Sequence, residues 1–126
     1  MTDRTFPEEA HIPRRSLKSV LDHIRANNMR NVSISVLAKI AGVTPHHFSS
    51  LFTKATGVTP HQFVLRERIE RAKVYLQDET LSIRQVSRLT GFRTQEHFTK
   101  VFRKIAGMTP TEYRSARSRR EHEYAI

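Results

Sequence analysis

The sequence predicts an all-α protein with about seven helices, arranged as two helix-turn-helix subdomains joined by a long central helix. Two observations lead to this prediction. Only four of the 126 residues are glycine and five are proline, so few positions interrupt helices. In addition, a pattern of short helix, glycine turn and second helix occurs twice, at residues 33–63 and 82–113.

The repeat extends along almost the whole length of both copies. Up to Gly42 and Gly91 the copies align at a constant offset, and the second copy then gains one residue. The later aligned pairs are Phe48 with Phe98, Phe52 with Phe102, Lys54 with Lys104, Gly57 with Gly107 and Thr59 with Thr109. Because two copies are too few for a solenoid, the repeat predicts a pseudo-symmetric pair of subdomains.

The first subdomain begins with a helix predicted over about residues 14–27. Its apolar stripe consists of Leu17, Val20, Leu21 and Ile24. Ser33 is the expected N-cap of a second, short helix, which ends at Gly42 because glycine is a natural helix stop. Thr44 is the expected N-cap of a third helix, with a proline at the N1 position.

A long central helix is predicted from Thr59 to about Gln77. Thr59 and Gln62 have the spacing of a capping box, and Pro60 occupies the N1 position. The candidate buried residues of this helix are Phe63, Ile69, Ala72, Val74 and Leu76. Its basic residues could face phosphates or form ion pairs with Glu67 and Glu70; they are Arg66, Arg68, Arg71 and Lys73.

The second subdomain repeats the order of the first. Ser82 and Gln85 match a capping box at the start of its short helix, and Thr94 is the expected N-cap of the next helix. A final capping box, Thr109 with Glu112, opens a short last helix. The predicted organisation is a flexible tail at 1–12, a first subdomain at 13–58, a linker helix at 59–78, a second subdomain at 79–114 and a basic tail at 115–126.

The composition narrows the possible functions. The chain has 22 basic and 12 acidic residues, a net charge of +10, and this strong field favours a polyanionic partner. The absence of cysteine excludes disulfides, thiolate metal sites and cysteine nucleophiles. No apolar run could span a membrane or serve as a signal peptide, so we expect a cytoplasmic protein without a membrane partner.

The second helix of each repeat, called the reading helix below, carries a polar face opposite its phenylalanines. At about 100° per residue, this face contains His46, Ser49, Ser50 and Thr53 in the first repeat, and Glu96, Thr99, Lys100 and Arg103 in the second, with Gln95 and His97 at its margins. Such side chains can hydrogen-bond base edges or phosphates from a helix in a major groove. We therefore interpret these ten residues as DNA-binding.

No metal or catalytic motif accompanies them. His46 and His47 are adjacent, so their side chains point about 100° apart and cannot chelate one ion as an i, i+4 pair does. The sequence has no glycine-rich phosphate loop and no nucleophile elbow. We expect neither a metal nor another cofactor, and the sequence does not indicate an enzyme.

The second repeat also contains an extended motif: Gly91, Phe92, Gln95, Phe98, Val101 to Lys104, Gly107 to Pro110 and Glu112 to Arg114. This motif resembles the DNA-binding domain of the AraC/XylS transcriptional regulators, and the chain is most similar to their stand-alone MarA/SoxS/Rob type. The resemblance implies a bacterial activator that binds a promoter site in double-stranded DNA as a monomer, with each reading helix in a major groove and RNA polymerase as a further partner. It also points to His46, Ser49, Ser50, Gln95, Glu96, His97, Thr99 and Lys100 as contacts.

Two other functions are compatible with the same fold. A module that binds a protein partner would present more exposed aromatic residues than these polar helices carry. A nonspecific nucleic-acid binder would have an affinity set by salt alone, with no preferred sequence. The arginines after the second repeat are expected to add nonspecific attraction to DNA; they are Arg114, Arg117, Arg119 and Arg120.

Overall fold

A computed structural model describes residues 11–26 and 32–124, with side chains as far as Arg120. Within these ranges the chain forms seven helices and no strand: α1 (Arg14–Ala26), α2 (Ile34–Ala41), α3 (Pro45–Thr56), α4 (Pro60–Tyr75), α5 (Ile83–Leu89), α6 (Gln95–Ala106) and α7 (Pro110–Tyr124). The predicted all-α class is therefore confirmed. Most of the tail predicted at 1–12 lies outside the described residues. None of the described helices is long and apolar enough to cross a membrane.

Side chains cap most of the helices at the predicted residues. Ser33 Oγ accepts a hydrogen bond from the Val36 N–H at 3.1 Å, and Thr94 Oγ1 accepts one from the His97 N–H at 3.0 Å. Reciprocal capping boxes form in three pairs, which are Thr59 with Gln62, Ser82 with Gln85, and Thr109 with Glu112. Each box satisfies backbone N–H groups that a helix leaves without an internal partner.

The chain divides into two compact units, Met1–Val64 and Leu65–Ile126, and each unit has its own core. The core of unit 1 is formed by Ile12, Val20, Ile24, Leu37, Ala38, Ala41, Phe48, Leu51, Phe52 and Val64. The core of unit 2 is formed by Ile69, Ala72, Leu76, Val86, Phe92, Phe98 and Phe102. In each unit the phenylalanines of the reading helix are fully buried, so the opposite side of that helix is left to face solvent.

Helix α4 differs from the linker helix predicted at 59–78. It spans Pro60–Tyr75, and the boundary between the two units falls inside it, after Val64. Val64 is buried in the core of unit 1, whereas Leu65 packs against the core of unit 2. Because α4 contributes to two cores, its apolar residues do not form the single stripe that simple helical periodicity expects.

The predicted burial of Val74 is wrong, because this residue is 60% exposed. Ile69, Ala72 and Leu76 are buried as predicted. At about 100° per residue, Val74 lies about 200° from Ala72 around the helix axis, on the side opposite the core.

The last helix is longer than the predicted short helix, because α7 continues through most of the segment predicted as a basic tail at 115–126. No glycine or proline follows Pro110, and the arginine, alanine and glutamate residues that make up most of this segment are good helix formers. Nothing in the local sequence therefore stops the helix before Tyr124.

Arg114 has a structural role that its place in the sequence did not indicate. Its guanidinium donates hydrogen bonds to the backbone carbonyls of Leu76 at 2.9 Å, Asp78 at 3.2 Å and Leu81 at 2.8 Å. The carbonyls at the end of a helix have no partner within it, so Arg114 completes the C-terminal end of α4 and the loop that follows. Arg114 therefore has a structural role inside unit 2. The attraction of this arginine and of the other three to DNA stays a prediction.

Candidate nucleic-acid interface

In unit 1 a tight turn places the reading helix α3. Gly42 ends α2 with φ +77°, a left-handed conformation that L side chains rarely adopt. Thr44 then has the extended backbone of an N-cap, with Pro45 as the first helical residue. Phe48 and Phe52 of α3 are fully buried, which fixes the rotation of the helix and turns its polar face outward.

The predicted residues of α3 lie together on this outward face. His46, Ser49 and Ser50 are exposed, and Thr53 is half-buried. The Thr53 hydroxyl donates to the backbone carbonyl of Ser49 at 2.8 Å, so its oxygen remains as an acceptor for an outside donor. This face offers short hydroxyls and one imidazole, with no formal charge among the four residues.

His47 lies next to this face and was absent from the predicted site. Its Nδ1 is 3.0 Å from the Thr44 hydroxyl, and its ring centroid is 4.8 Å from that of His46. Thr44 makes no side-chain cap to α3, because its hydroxyl binds this imidazole instead. The expected capping role of Thr44 is therefore limited to its backbone conformation.

In unit 2 the reading helix α6 carries larger and more strongly charged side chains. Gln95, Glu96, His97, Lys100 and Arg103 are exposed and Thr99 is half-buried. An open depression of about 590 Å³ is lined by Gln95, Glu96, Thr99, Lys100, Arg103 and Thr109. Five of the six predicted residues of this helix thus share one concave surface, from which His97 is separate. Thr109 was missed because its capping box indicated only a helix start.

The turn before α6 is built around Phe92. The Arg68 guanidinium carbon lies 5.3 Å from the centroid of the Phe92 ring. On the same turn, Gly91 has φ +92°, and Arg68 Nε lies 3.2 Å from the position that a Cβ of this glycine would take. The Phe92 ring also contacts the rings of His97 and Phe98, with centroids 5.4 Å and 5.3 Å away. Arg68 therefore supports the turn of unit 2.

Two of the basic residues of α4, Lys73 and Arg68, have partners inside unit 2. Lys73 Nζ is 2.8 Å from Glu70 Oε2, which is the ion pair that the sequence allowed. Arg68 is engaged with Phe92 through a cation–π contact. Neither residue supports a phosphate-facing interpretation of this helix.

The carboxylate of Glu112 contributes negative charge beside the α6 depression. The backbone N–H of Thr109 donates to it at 2.9 Å and, with the Thr109 hydroxyl and the nearby Arg103 charge, lowers the pKa of the Glu112 carboxyl. A glutamate is ionised at neutral pH in any case, and the lowered pKa extends that ionised range to more acidic pH. Arg103 therefore lies within the field of one acidic residue as well as on the outward face of α6.

Among the side chains of residues 11–26 and 32–120, no three histidine or acidic groups lie close enough together to hold a metal ion. The arrangement instead brings hydrogen-bonding groups to the surfaces of two helices. Amide, carboxylate, hydroxyl, ammonium and guanidinium groups are all represented on α6, and these are the groups that pair with base edges in a major groove.

A family model described as a helix-turn-helix domain matches residues 37–116, more than half of the chain. The chain belongs to the AraC/XylS family of transcriptional regulators. Among curated relatives, the probable transcriptional regulator LumQ of Photobacterium leiognathi is 32% identical over 106 residues, which cover 84% of this chain and 43% of LumQ. The resemblance of the sequence to the AraC/XylS DNA-binding domain is therefore confirmed.

Solved structures of the same family share the fold. A transcriptional regulator of Chromobacterium violaceum with an AraC-type DNA-binding domain has a TM-score of 0.74 and 29% identity, covering 82% of this chain and 92% of that one. The DNA-binding domain of AdpA, solved in complex with a target DNA, has a TM-score of 0.75 and 27% identity, covering 84% and 96%. This AraC/XylS chain spans less than half the length of the curated relatives it matches.

Proposed function

We propose that this chain binds a specific sequence of double-stranded DNA and regulates transcription, with α3 and α6 inserted into successive major grooves of a promoter site. The observation that carries the proposal is the duplicated geometry. Each unit buries two phenylalanines on one side of its reading helix and exposes hydrogen-bonding groups on the other. The net charge of +10 and the DNA complex of the related AdpA domain support a DNA partner.

The proposed contacts are the ten predicted residues: His46, Ser49, Ser50, Thr53, Gln95, Glu96, His97, Thr99, Lys100 and Arg103. Their chemistry matches known base pairings. A glutamine can bind adenine through two hydrogen bonds, a glutamate can accept from the cytosine amino group, and a lysine can bind the guanine edge. These three groups stand together in the depression on α6 as Gln95, Glu96 and Lys100.

We further propose that one molecule occupies the site as a monomer and acts as an activator in the cytoplasm, with RNA polymerase as its protein partner. A dimeric helix-turn-helix protein supplies its two recognition helices from two chains. Here one chain supplies both α3 and α6, so a second copy is not needed to read two segments of the groove. The proposed role requires no catalysis and no cofactor.

A protein-binding module and a nonspecific nucleic-acid binder are the alternatives. The depression on the outward face of α6 is lined by five residues of that helix, all polar or charged and none aromatic: Gln95, Glu96, Thr99, Lys100 and Arg103. Protein interfaces are instead depleted in charged residues at their centre. In a nonspecific binder, a carboxylate such as Glu96 on the DNA-facing surface would lower the affinity, because the phosphates repel it.

Selection of duplexes from a random pool, followed by a competition gel shift against bulk DNA, tests this proposal. We expect one asymmetric motif and a complex with one protein molecule per duplex, as measured by analytical ultracentrifugation. Equal competition by selected and bulk DNA would indicate a nonspecific binder. An obligate dimer on a palindromic site would exclude the monomeric arrangement.

A further inference from the structure

The two reading helices differ at most of their outward polar positions but agree at two of them. In the repeat alignment His46 corresponds to Glu96, Ser50 to Lys100 and Thr53 to Arg103, so these positions differ in chemistry. His47 corresponds to His97 and Lys54 to Lys104, so both units carry a histidine followed seven residues later by a lysine. His97 is one of the ten proposed contacts, but neither it nor Lys104 lines the depression that holds Gln95, Glu96 and Lys100, the residues matched above to particular bases.

The spacing of this pair places both side chains on one side of the helix. Seven residues correspond to about 700° of rotation, which leaves the two positions about 20° apart, and to a rise of about 10.5 Å. The structure agrees with that placement. Lys54, Lys104 and His97 are exposed and His47 is half-buried, and on α6 neither His97 nor Lys104 lines the depression.

The imidazole of each pair is held by the turn that precedes its helix. In unit 1 the Thr44 hydroxyl lies 3.0 Å from Nδ1 of His47. In unit 2 the Phe92 ring packs edge-on against His97, with centroids 5.4 Å apart. Different contacts thus fix the ring at the same helical position in both units, on the side of the reading helix that faces the turn.

From this repetition we infer that His47 and Lys54 on α3, and His97 and Lys104 on α6, form a phosphate-contacting flank on each reading helix. The flank binds the sugar–phosphate backbone along the groove wall nearest the turn. This inference rests on the proposed function and adds to it a division of the interface. Bases differ between two grooves, so the residues that read them can differ; the phosphates are the same in both, so one pair of donors suits both.

The chemistry of the two residue types fits this role. A lysine ammonium carries a full charge and three donors, and an imidazole held in one orientation presents a ring N–H without further loss of side-chain freedom. Side chains about 10.5 Å apart along the helix reach different phosphates instead of competing for one. Contacts of this kind set register and affinity without carrying sequence information directly.

The test measures the salt dependence of binding for the full chain with Lys54→Gln, Lys104→Gln and the double variant. The probes are a duplex selected from a random pool and a scrambled duplex of equal length. For each lysine removed, we expect the slope of log K against log salt to become shallower by about 0.9. Affinity for both duplexes should fall by the same factor, and Lys104→Arg should keep the original slope.

The matched control is Lys18→Gln on α1, where the exposed Lys18 ammonium pairs with Asp22 at 2.9 Å. This variant should leave the salt slope unchanged. For the imidazoles, Thr44→Val keeps His47 and removes only the hydroxyl that holds it. It should weaken binding to both duplexes equally, with the thermal midpoint of unfolding recorded alongside to separate this effect from loss of fold.

The outcomes distinguish the flank from the proposed function. In the first outcome, the native chain prefers its selected duplex, but the lysine variants keep the full salt slope or lose their preference for particular bases. The flank is then wrong and the proposed function stands. If the native chain shows no sequence preference but the slopes fall as expected, the flank stands and sequence-specific binding is wrong. If the native chain binds no duplex, both are wrong.

Discussion

The two units share a fold but differ in what their reading helices carry. Helix α3 exposes one imidazole and short hydroxyls, and its one formal charge is that of Lys54. Helix α6 exposes an amide, a carboxylate and three cationic side chains. Unit 1 has eight basic and four acidic residues, a net charge of +4, and unit 2 has fourteen and eight, a net charge of +6. The same fold can therefore carry helix surfaces that differ in charge and in hydrogen-bonding groups.

The supporting residues of the two units differ as well. In unit 2 the turn carries Phe92, which Arg68 covers, whereas unit 1 has the smaller Val43 at the corresponding position. Unit 2 also buries two hydroxyl residues, Ser87 on α5 and Thr90 at its C-cap. Ser87 donates to the Arg84 carbonyl at 2.7 Å, and Thr90 donates to the Val86 carbonyl at 2.8 Å, so neither is buried without a partner. Both units have a cation–π contact, with Arg25 5.8 Å from the Phe63 centroid in unit 1, whereas the buried hydroxyls belong to unit 2.

The largest expected effect is on the free energy of unfolding, and it comes from a position at which the two units have different residues. Arg114 aligns with Val64, which is buried in the core of unit 1. Arg114→Ala removes the donor for three backbone carbonyls, and we expect it to lower the free energy of unfolding by about 1.5–3 kcal/mol. Urea denaturation measures this change.

The control for Arg114 is the exposed Arg120 on the same helix. Arg120→Ala should change the free energy of unfolding by no more than about 0.5 kcal/mol. Equal effects of the two variants would show that the three carbonyl hydrogen bonds of Arg114 add no measurable stability.

The second prediction separates the reading helices by specificity. Glu96→Ala and Gln95→Ala should each relax base preference in one half of the site, at a cost of about 1–3 kcal/mol for the preferred duplex. Ser49→Ala should change little, because a serine hydroxyl pairs with several bases. Binding-site selection with each variant at fixed salt measures the preference. If Ser49→Ala randomises its half while the other two leave theirs intact, α3 is the dominant reader.

The third prediction compares the glycines of the two turns. Gly42→Ala places a side chain at φ +77° with no atom within 4 Å of the new Cβ, so only backbone strain of about 1–2 kcal/mol is expected. Gly91→Ala adds to the same strain a Cβ placed 3.2 Å from Arg68 Nε. Thermal unfolding should show the larger loss for Gly91→Ala. In an Arg68→Ala background the excess should disappear, and its persistence would refute the steric explanation.

The features that the sequence predicted correctly are those that depend on neighbouring residues. Capping boxes, glycine stops and phenylalanine stripes are local, so they located seven helices and the outward faces of α3 and α6. Among the features that it missed, the Arg114 carbonyl contacts join segments more than thirty residues apart, so local spacing does not show them. The exposure of Val74 is a different case, because its position about 200° from Ala72 around the helix axis already places it opposite the core.

The smallest expected effect is a difference in acid sensitivity between the two units. It arises because their corresponding capping boxes use different residues. In unit 2 the box pairs Thr109 with Glu112, whose carboxyl pKa is lowered first by the Thr109 backbone N–H. The pKa of Asp78 is also lowered, chiefly by the Thr80 hydroxyl. In unit 1 the box pairs Thr59 with Gln62, which does not titrate.

A carboxyl whose pKa is lower in the folded state stabilises the fold above its ordinary pKa, about 4 for these groups, and loses that contribution as the pH falls through the lowered value. Acid should therefore loosen the start of α7 and the loop after α4 before it affects the start of α4. Amide hydrogen exchange between pH 5 and pH 3, corrected for intrinsic rates, measures this order.

Glu112→Gln gives unit 2 the residue type that unit 1 has at this position, so it should keep the box at neutral pH and remove the acid response at α7. Equal acid sensitivity of Glu112→Gln and the native chain at the first turn of α7 would assign the response to another group.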